Sequence, residues 1–194
     1  MADANGILQA ADAARLKFFS DCQLDLRAIC PYTFREPLAP SVAAQREGID
    51  IALERIVRCH DTVSSLHDVT LIEGAGGLLV PLTPQLTFAD LAARLGVPVV
   101  VVVGSRLGAI NHSLLTMRYA RFVGLHVVGY VINSLAAKAD LAAATNVGVL
   151  ADWLGPPLAV LPHLGEIVET GAERERFAEL FGRQLRIEPL LVPA

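Results

Sequence analysis

Pro98-Val-Val-Val-Val-Val-Gly104 is the stretch that decides the fold. Five consecutive β-branched residues favour an extended backbone, and no polar residue among them is left to face water. Such a run predicts a strand buried on both faces, as inside a parallel sheet. Working outward, residues 87–95 predict a short helix. Thr87 is its candidate cap, and Asp90 completes a Thr-x-x-Asp pattern resembling a capping box. Downstream, residues 112–122 predict a helix, residues 126–133 a strand, and residues 137–153 a helix. A short strand at 157–162 and a helix at 170–184 follow. Upstream, the apolar run 69–72 predicts a further buried strand. Ile49, Leu53, Ile56, Val57 and His60 recur at helical spacing, predicting one amphipathic helix over 43–64. Residues 25–41, punctuated by Pro31, Pro37 and Pro40, read as loop, and 3–19 as a helix with Asp3 as its N-cap. Strands alternating with helices imply βαβ units. The expected fold is therefore α/β: a parallel, doubly wound sheet with helices on both faces, in a single domain over 1–194.

Composition narrows the function. The 194 residues are 53% apolar and 19% charged, which excludes a disordered chain. Net charge is −4 with no basic block, arguing against nucleic acid or a polybasic membrane contact. The longest apolar run is too short to span a bilayer, and the first residues lack a signal peptide's pattern. Cys22, Cys30 and Cys59 form no Cys-x-x-Cys pair; they suit a reducing cytoplasm and read as inert packing or surface residues. A cytoplasmic location is the expectation.

Three segments could carry chemistry. Asp68-Val-Thr-Leu-Ile-Glu-Gly-Ala-Gly-Gly77 places Glu73 at the end of an apolar run, ahead of a glycine turn. A carboxylate at the end of a strand in an open α/β sheet is where ligands bind. Gly74, Gly76 and Gly77 would let a nucleotide or its metal approach the backbone closely. Glu73 reads either as a magnesium ligand or nucleotide contact, or as a turn carboxylate. Asn133 ends a predicted strand, where its amide could meet an adenine edge or simply form a turn. The loop Gly104-Ser-Arg-Leu-Gly-Ala-Ile-Asn-His112 leads into a helix, whose N-terminus favours an anion such as a carboxylate. Asn111 could add a donor there, or serve only as the helix cap. The histidines show no metal-ligand spacing.

Glu73-Gly-Ala-Gly-Gly-Leu-Leu-Val-Pro-Leu82, Thr87-Phe-Ala-Asp-Leu91, the valine strand, Leu107-Gly-Ala-Ile-Asn-His-Ser-Leu-Leu-Thr116 and Pro31-Tyr-Thr-Phe-Arg-Glu-Pro-Leu-Ala-Pro40 together resemble the dethiobiotin synthetases, from about Asp3 to Glu169. The resemblance implies a P-loop NTPase-like fold and an ATP-dependent ring closure in biotin synthesis. The diamine 7,8-diaminononanoate takes up carbon dioxide as a carbamate, ATP phosphorylates it, and the second amine closes the ureido ring. By the same resemblance Glu73 and Asp3 would be magnesium ligands and Glu73 to Gly76 would lie along the phosphates. Asn133 and Ser134 would meet the adenine, and Pro162, His163, Leu164 and Glu169 would fall on a later nucleotide-binding turn. Leu107, Gly108 and Asn111 would meet the substrate carboxylate at a homodimer interface.

The family pattern also holds a first strand, a Gly-x-x-x-x-Gly-Lys-[Ser/Thr] loop and a further lysine ahead of the Asp3 segment. This sequence contains only Lys17 and Lys138, neither in a glycine loop. The expectation is a chain truncated at its N-terminus relative to the family, with no catalytic lysine of its own. The apolar run before Glu73 would then need a different pairing partner. Two other readings stay open: a non-catalytic remnant that keeps the dimer surface, and another P-loop amidoligase.

Overall fold

The computed structural model describes residues 10–138 and 141–191. Asp3 lies outside them. The chain divides into two compact units at the Leu95–Gly96 junction. Among the described residues no helix is long and apolar enough to cross a membrane.

The first unit's regular elements are helices: α1 (Ala11–Phe19), α2 (Leu26–Ile29), α3 (Pro40–Glu47), α4 (Leu53–Leu66) and α5 (Phe88–Leu95). The single helix expected over 43–64 is two helices, and Gly48 is the reason. It takes φ 65°, a left-handed conformation open to glycine, so the helix ends there. The amides of Gly48 and Ile49 bond back to the Gln45 and Ala44 carbonyls. Pro40 opens α3 at a position where its missing N–H costs nothing. The intervening loop is closed by Tyr32, whose hydroxyl accepts the Ala52 amide at 2.8 Å and whose ring stacks on Phe34.

The strand expected at 69–72 does not form. Val69, Leu71 and Ile72 are apolar but exposed, Leu71 to 87%. A strand exists only when a neighbour takes its backbone N–H and C=O groups, and no described segment pairs with this one. The buried Thr70 hydroxyl likewise has no partner among the described residues.

The second unit holds β1 (Val99–Ser105), α6 (Ala109–Phe122), β2 (Val127–Ser134), α7 (Leu141–Leu154), β3 (Ala159–Leu161) and α8 (Gly171–Gln184). The strands lie in the order β1-β2-β3, both pairs parallel. One face carries Val103, Tyr130 and Ile132, which pack with Ala109 and Met117 of α6 and Leu150 of α7. The opposite face carries Val131, Ala159 and Leu161, packed with Leu158 and against Phe181 and Leu185. Gly129 is needed on that face: a Cβ there would come within 3.0 Å of the Leu158 side chain. Helices on both faces of a parallel sheet are the layer arrangement expected from the strand–helix alternation.

The valine strand differs from expectation in one respect. Val101 and Val103 pack into the α6–α7 core, whereas Val102 is 68% exposed and Val100 is open as well. Register places Val102 beside Val131. The packing of that second face centres on β2 and β3, leaving the β1 side uncovered by described residues.

Candidate functional site

The first unit supplies Glu73 and the glycine turn. The turn is tight: the Gly76 amide bonds to the Gly74 carbonyl at 2.9 Å. Gly76 has φ 105°, and a Cβ on it would strike the Val80 side chain at 2.9 Å. A Cβ on Gly74 would press on the Phe88 ring at 3.2 Å. Sequence and turn geometry are thus coupled through glycine. Glu73 itself is exposed.

Helix α5 holds the turn in place. The Phe88 and Ala89 amides bond to the Val80 and Leu78 carbonyls, and Pro81 bridges Thr87. The capping box expected there is present. Asp90 accepts from the Thr87 amide and hydroxyl, both at 2.7 Å, while the Asp90 amide donates to the Thr87 hydroxyl at 3.4 Å. The bond from the Thr87 side chain, with its backbone N–H, holds the Asp90 carboxyl below the usual carboxylate range. A lowered folded-state value means that this contribution is complete above the ordinary carboxylate range. It disappears as the pH falls through the lower, folded value. Asp90→Asn is expected to cost about 1 kcal/mol at neutral pH, as loss of a cap does. Urea unfolding at pH 7 checks this, and the gap between variant and parent should close in strong acid.

The second unit gathers the remaining candidates at one end of its sheet. Because the strands are parallel and in register, Gly104 lies beside Asn133 and Ser105 beside Ser134, with Asn133 also beside Leu161. The carboxyl ends of all three strands therefore point the same way. Asn133 and Ser134 close β2, Pro162, His163 and Leu164 follow β3, and the 106–108 loop follows β1. Open α/β sheets bind ligands at this end. His163 is ordered by its own turn, Nδ1 accepting the Gly165 amide at 3.3 Å. Glu169 precedes α8, whose cap is Thr170, its hydroxyl accepting the Glu173 amide.

Helix α6 begins three residues earlier than expected, at Ala109, with Gly108 as N-cap at φ 89°. Asn111 is therefore inside the first turn and is not the cap; no side chain caps this end. Asn111 is exposed, as is Leu107 at 83%. A helix of 14 residues thus presents an uncapped N-terminus beside Leu107, Gly108 and Asn111. Its free amides and positive dipole end favour an anion.

Sequence reading missed Asn146. It lies in α7 and is 2% exposed, and its amide nitrogen donates to the Arg106 carbonyl at 3.0 Å and the Ser105 hydroxyl at 3.3 Å. Ser105 in turn donates to the Ala143 carbonyl at 3.4 Å. These bonds fix the loop that carries Leu107 and Gly108. The available signal was a lone Asn in an Ala-, Val- and Leu-rich helix, since a buried amide must find partners. Asn146→Ala leaves the Arg106 carbonyl without that donor and is expected to cost about 1–3 kcal/mol in thermal unfolding.

Parallel strands with helices on both faces define an α/β fold of the P-loop NTPase-like kind, and a family model described as an AAA domain matches residues 5–170. An ATP-dependent dethiobiotin synthetase from Anaeromyxobacter sp. (strain K) is 44% identical over 155 residues, which cover 79% of this chain and 70% of the relative. A synthetase of the same name from Anaeromyxobacter sp. (strain Fw109-5) is 41% identical, covering 87% of this chain and 74% of the relative. Another from Thermodesulfovibrio yellowstonii is 35% identical, covering 96% and 80%. The chain belongs to the ATP-dependent dethiobiotin synthetase family.

Proposed function

We propose that this protein serves the ATP-dependent closure of the ureido ring on 7,8-diaminononanoate, with carbon dioxide or bicarbonate as the carbon source, giving dethiobiotin. The observation that carries the reading is the family match, which crosses both units and includes the glycine turn, the valine strand and the start of α6. The reading takes 1–194 as one α/β domain working in the cytoplasm as a homodimer.

The residue roles are those the family resemblance implies. The N-terminus of α6, with Leu107, Gly108 and Asn111, receives the substrate carboxylate. Asn133 and Ser134 meet the adenine. Pro162, His163, Leu164 and Glu169 border the nucleotide. Glu73, Gly74, Ala75 and Gly76 border the phosphates. Glu73 is suited to magnesium because its carboxylate is exposed. Magnesium on a nucleotide takes one or two protein carboxylates and completes its shell with phosphate oxygens and water. Asp3 would be the second carboxylate. When bound, the ion neutralises charge on the transferred phosphoryl group. Nothing among the relatives' names favours the non-catalytic alternative.

A thermal-shift series tests the reading. With ATP and magnesium present, the diamine at about 100 times its Kd is expected to stabilise the chain by about 2.7 kcal/mol. Nonanoate and unrelated amino acids should not. Equal stabilisation by those acids, or none by the diamine, overturns it.

A further inference from the structure

The three thiols of the chain sit in the first unit, all partly exposed, yet their neighbours differ in kind. Cys30 donates to the Tyr32 carbonyl at 3.2 Å, and Cys59 to the Arg27 carbonyl at 4.0 Å. A carbonyl can accept a hydrogen bond from a thiol but cannot take its proton. Cys22 instead faces a nitrogen base: its Sγ is 3.9 Å from Nε2 of His67. The other ring nitrogen, Nδ1, lies 2.8 Å from the Val63 carbonyl. A carbonyl only accepts, so Nδ1 is the donor there, and in that tautomer Nε2 keeps its lone pair on the side of the thiol. Carbonyl, imidazole and thiol thus form a chain in which the base is oriented by a third group, the arrangement that activates a nucleophile.

Both ends of the pair are fixed by backbone. Cys22 follows Asp21, which holds φ 55°, and its own amide bonds to the Lys17 carbonyl at 3.1 Å. His67 is the residue that ends α4.

We propose that Cys22 and His67 form a reactive thiol–imidazole pair, and that Cys22 is the site at which this chain exchanges with small disulfides. The step balances. The Sγ proton passes to Nε2 of His67, and the thiolate attacks one sulfur of the disulfide. The S–S bond breaks as the mixed disulfide forms, and the departing thiolate takes its electron pair and then the proton from His67. One thiol is oxidised and one disulfide sulfur reduced. This inference is independent of the ring-closing reading, and it replaces the view of all three cysteines as inert.

The test is the rate at which the full chain reacts with excess glutathione disulfide, with each site mapped by mass spectrometry of its peptides. Cys22 is expected to react first, about tenfold or more ahead of Cys30 and Cys59, because it has a nitrogen base beside it to take the thiol proton during attack. His67→Gln, at an exposed position where folding is checked by circular dichroism, should bring Cys22 down to the other two. Adding imidazole to His67→Ala should restore part of the rate at Cys22 alone. Equal rates at the three thiols in the parent chain, or an unchanged Cys22 rate in His67→Gln, overturns the proposal.

Discussion

Leu150→Ala is expected to destabilise the second unit by about 2–5 kcal/mol, the largest stability effect the structure implies. Leu150 is 0% exposed and sits in the cluster formed by Val103, Met117, Tyr130 and Ile132. Truncation removes apolar contacts from every side and leaves a cavity that helix and sheet cannot both close. The cost reaches function through α7. The same helix carries Asn146, whose amide holds the Arg106 carbonyl and so the loop ahead of α6. Urea unfolding followed by far-ultraviolet circular dichroism measures the loss. Leu115→Ala provides the comparison: that side chain is 59% exposed, and its removal should cost no more than about 0.5 kcal/mol. Similar costs at the two positions would contradict the assigned core.

Glu73→Gln is expected to have the largest effect on nucleotide handling. The substitution keeps the size of the side chain and the turn, and removes only the charge. Losing a partner that merely supports a metal ligand costs about 10–100-fold in metal affinity, and losing the ligand itself should cost at least that. Titration of ATP with and without magnesium measures it. The magnesium-dependent part of the affinity should fall by that factor, and ATP binding in chelator should stay unchanged. Equal magnesium-dependent affinity in parent and variant would remove Glu73 from the metal.

Legibility in the sequence followed the physics of each segment. Five valines and the run before Asn133 became β1 and β2 because each strand has a neighbour in the same unit. Residues 69–72 are just as apolar, but composition cannot say whether a pairing partner is present. The capping box at Thr87 and Asp90 was readable since it is a local bargain between a side chain and nearby amides. The break at Gly48 is hidden in the sequence because the apolar spacing continues across it, although its left-handed backbone ends the helix. The exposed faces of Val100 and Val102 could not be read from five identical residues. They depend on which strands the opposite layer covers. Among the candidate residues, Asn133 and Ser134 close β2, and the 107–111 segment runs from the end of β1 into the first turn of α6. Asn146 belongs to no motif, and its role comes from a helix that packs across from the loop.

The proposed recognition of the substrate carboxylate at the start of α6 is the central claim that links this fold to ring closure on 7,8-diaminononanoate. It is measured by calorimetric titration of the full chain, in ATP and magnesium, with the diamine and with its methyl ester. The account predicts saturable binding of the diamine and an affinity at least about tenfold lower for the ester, the loss of one charge-assisted contact. Absence of diamine binding, or equal binding of acid and ester, would contradict it.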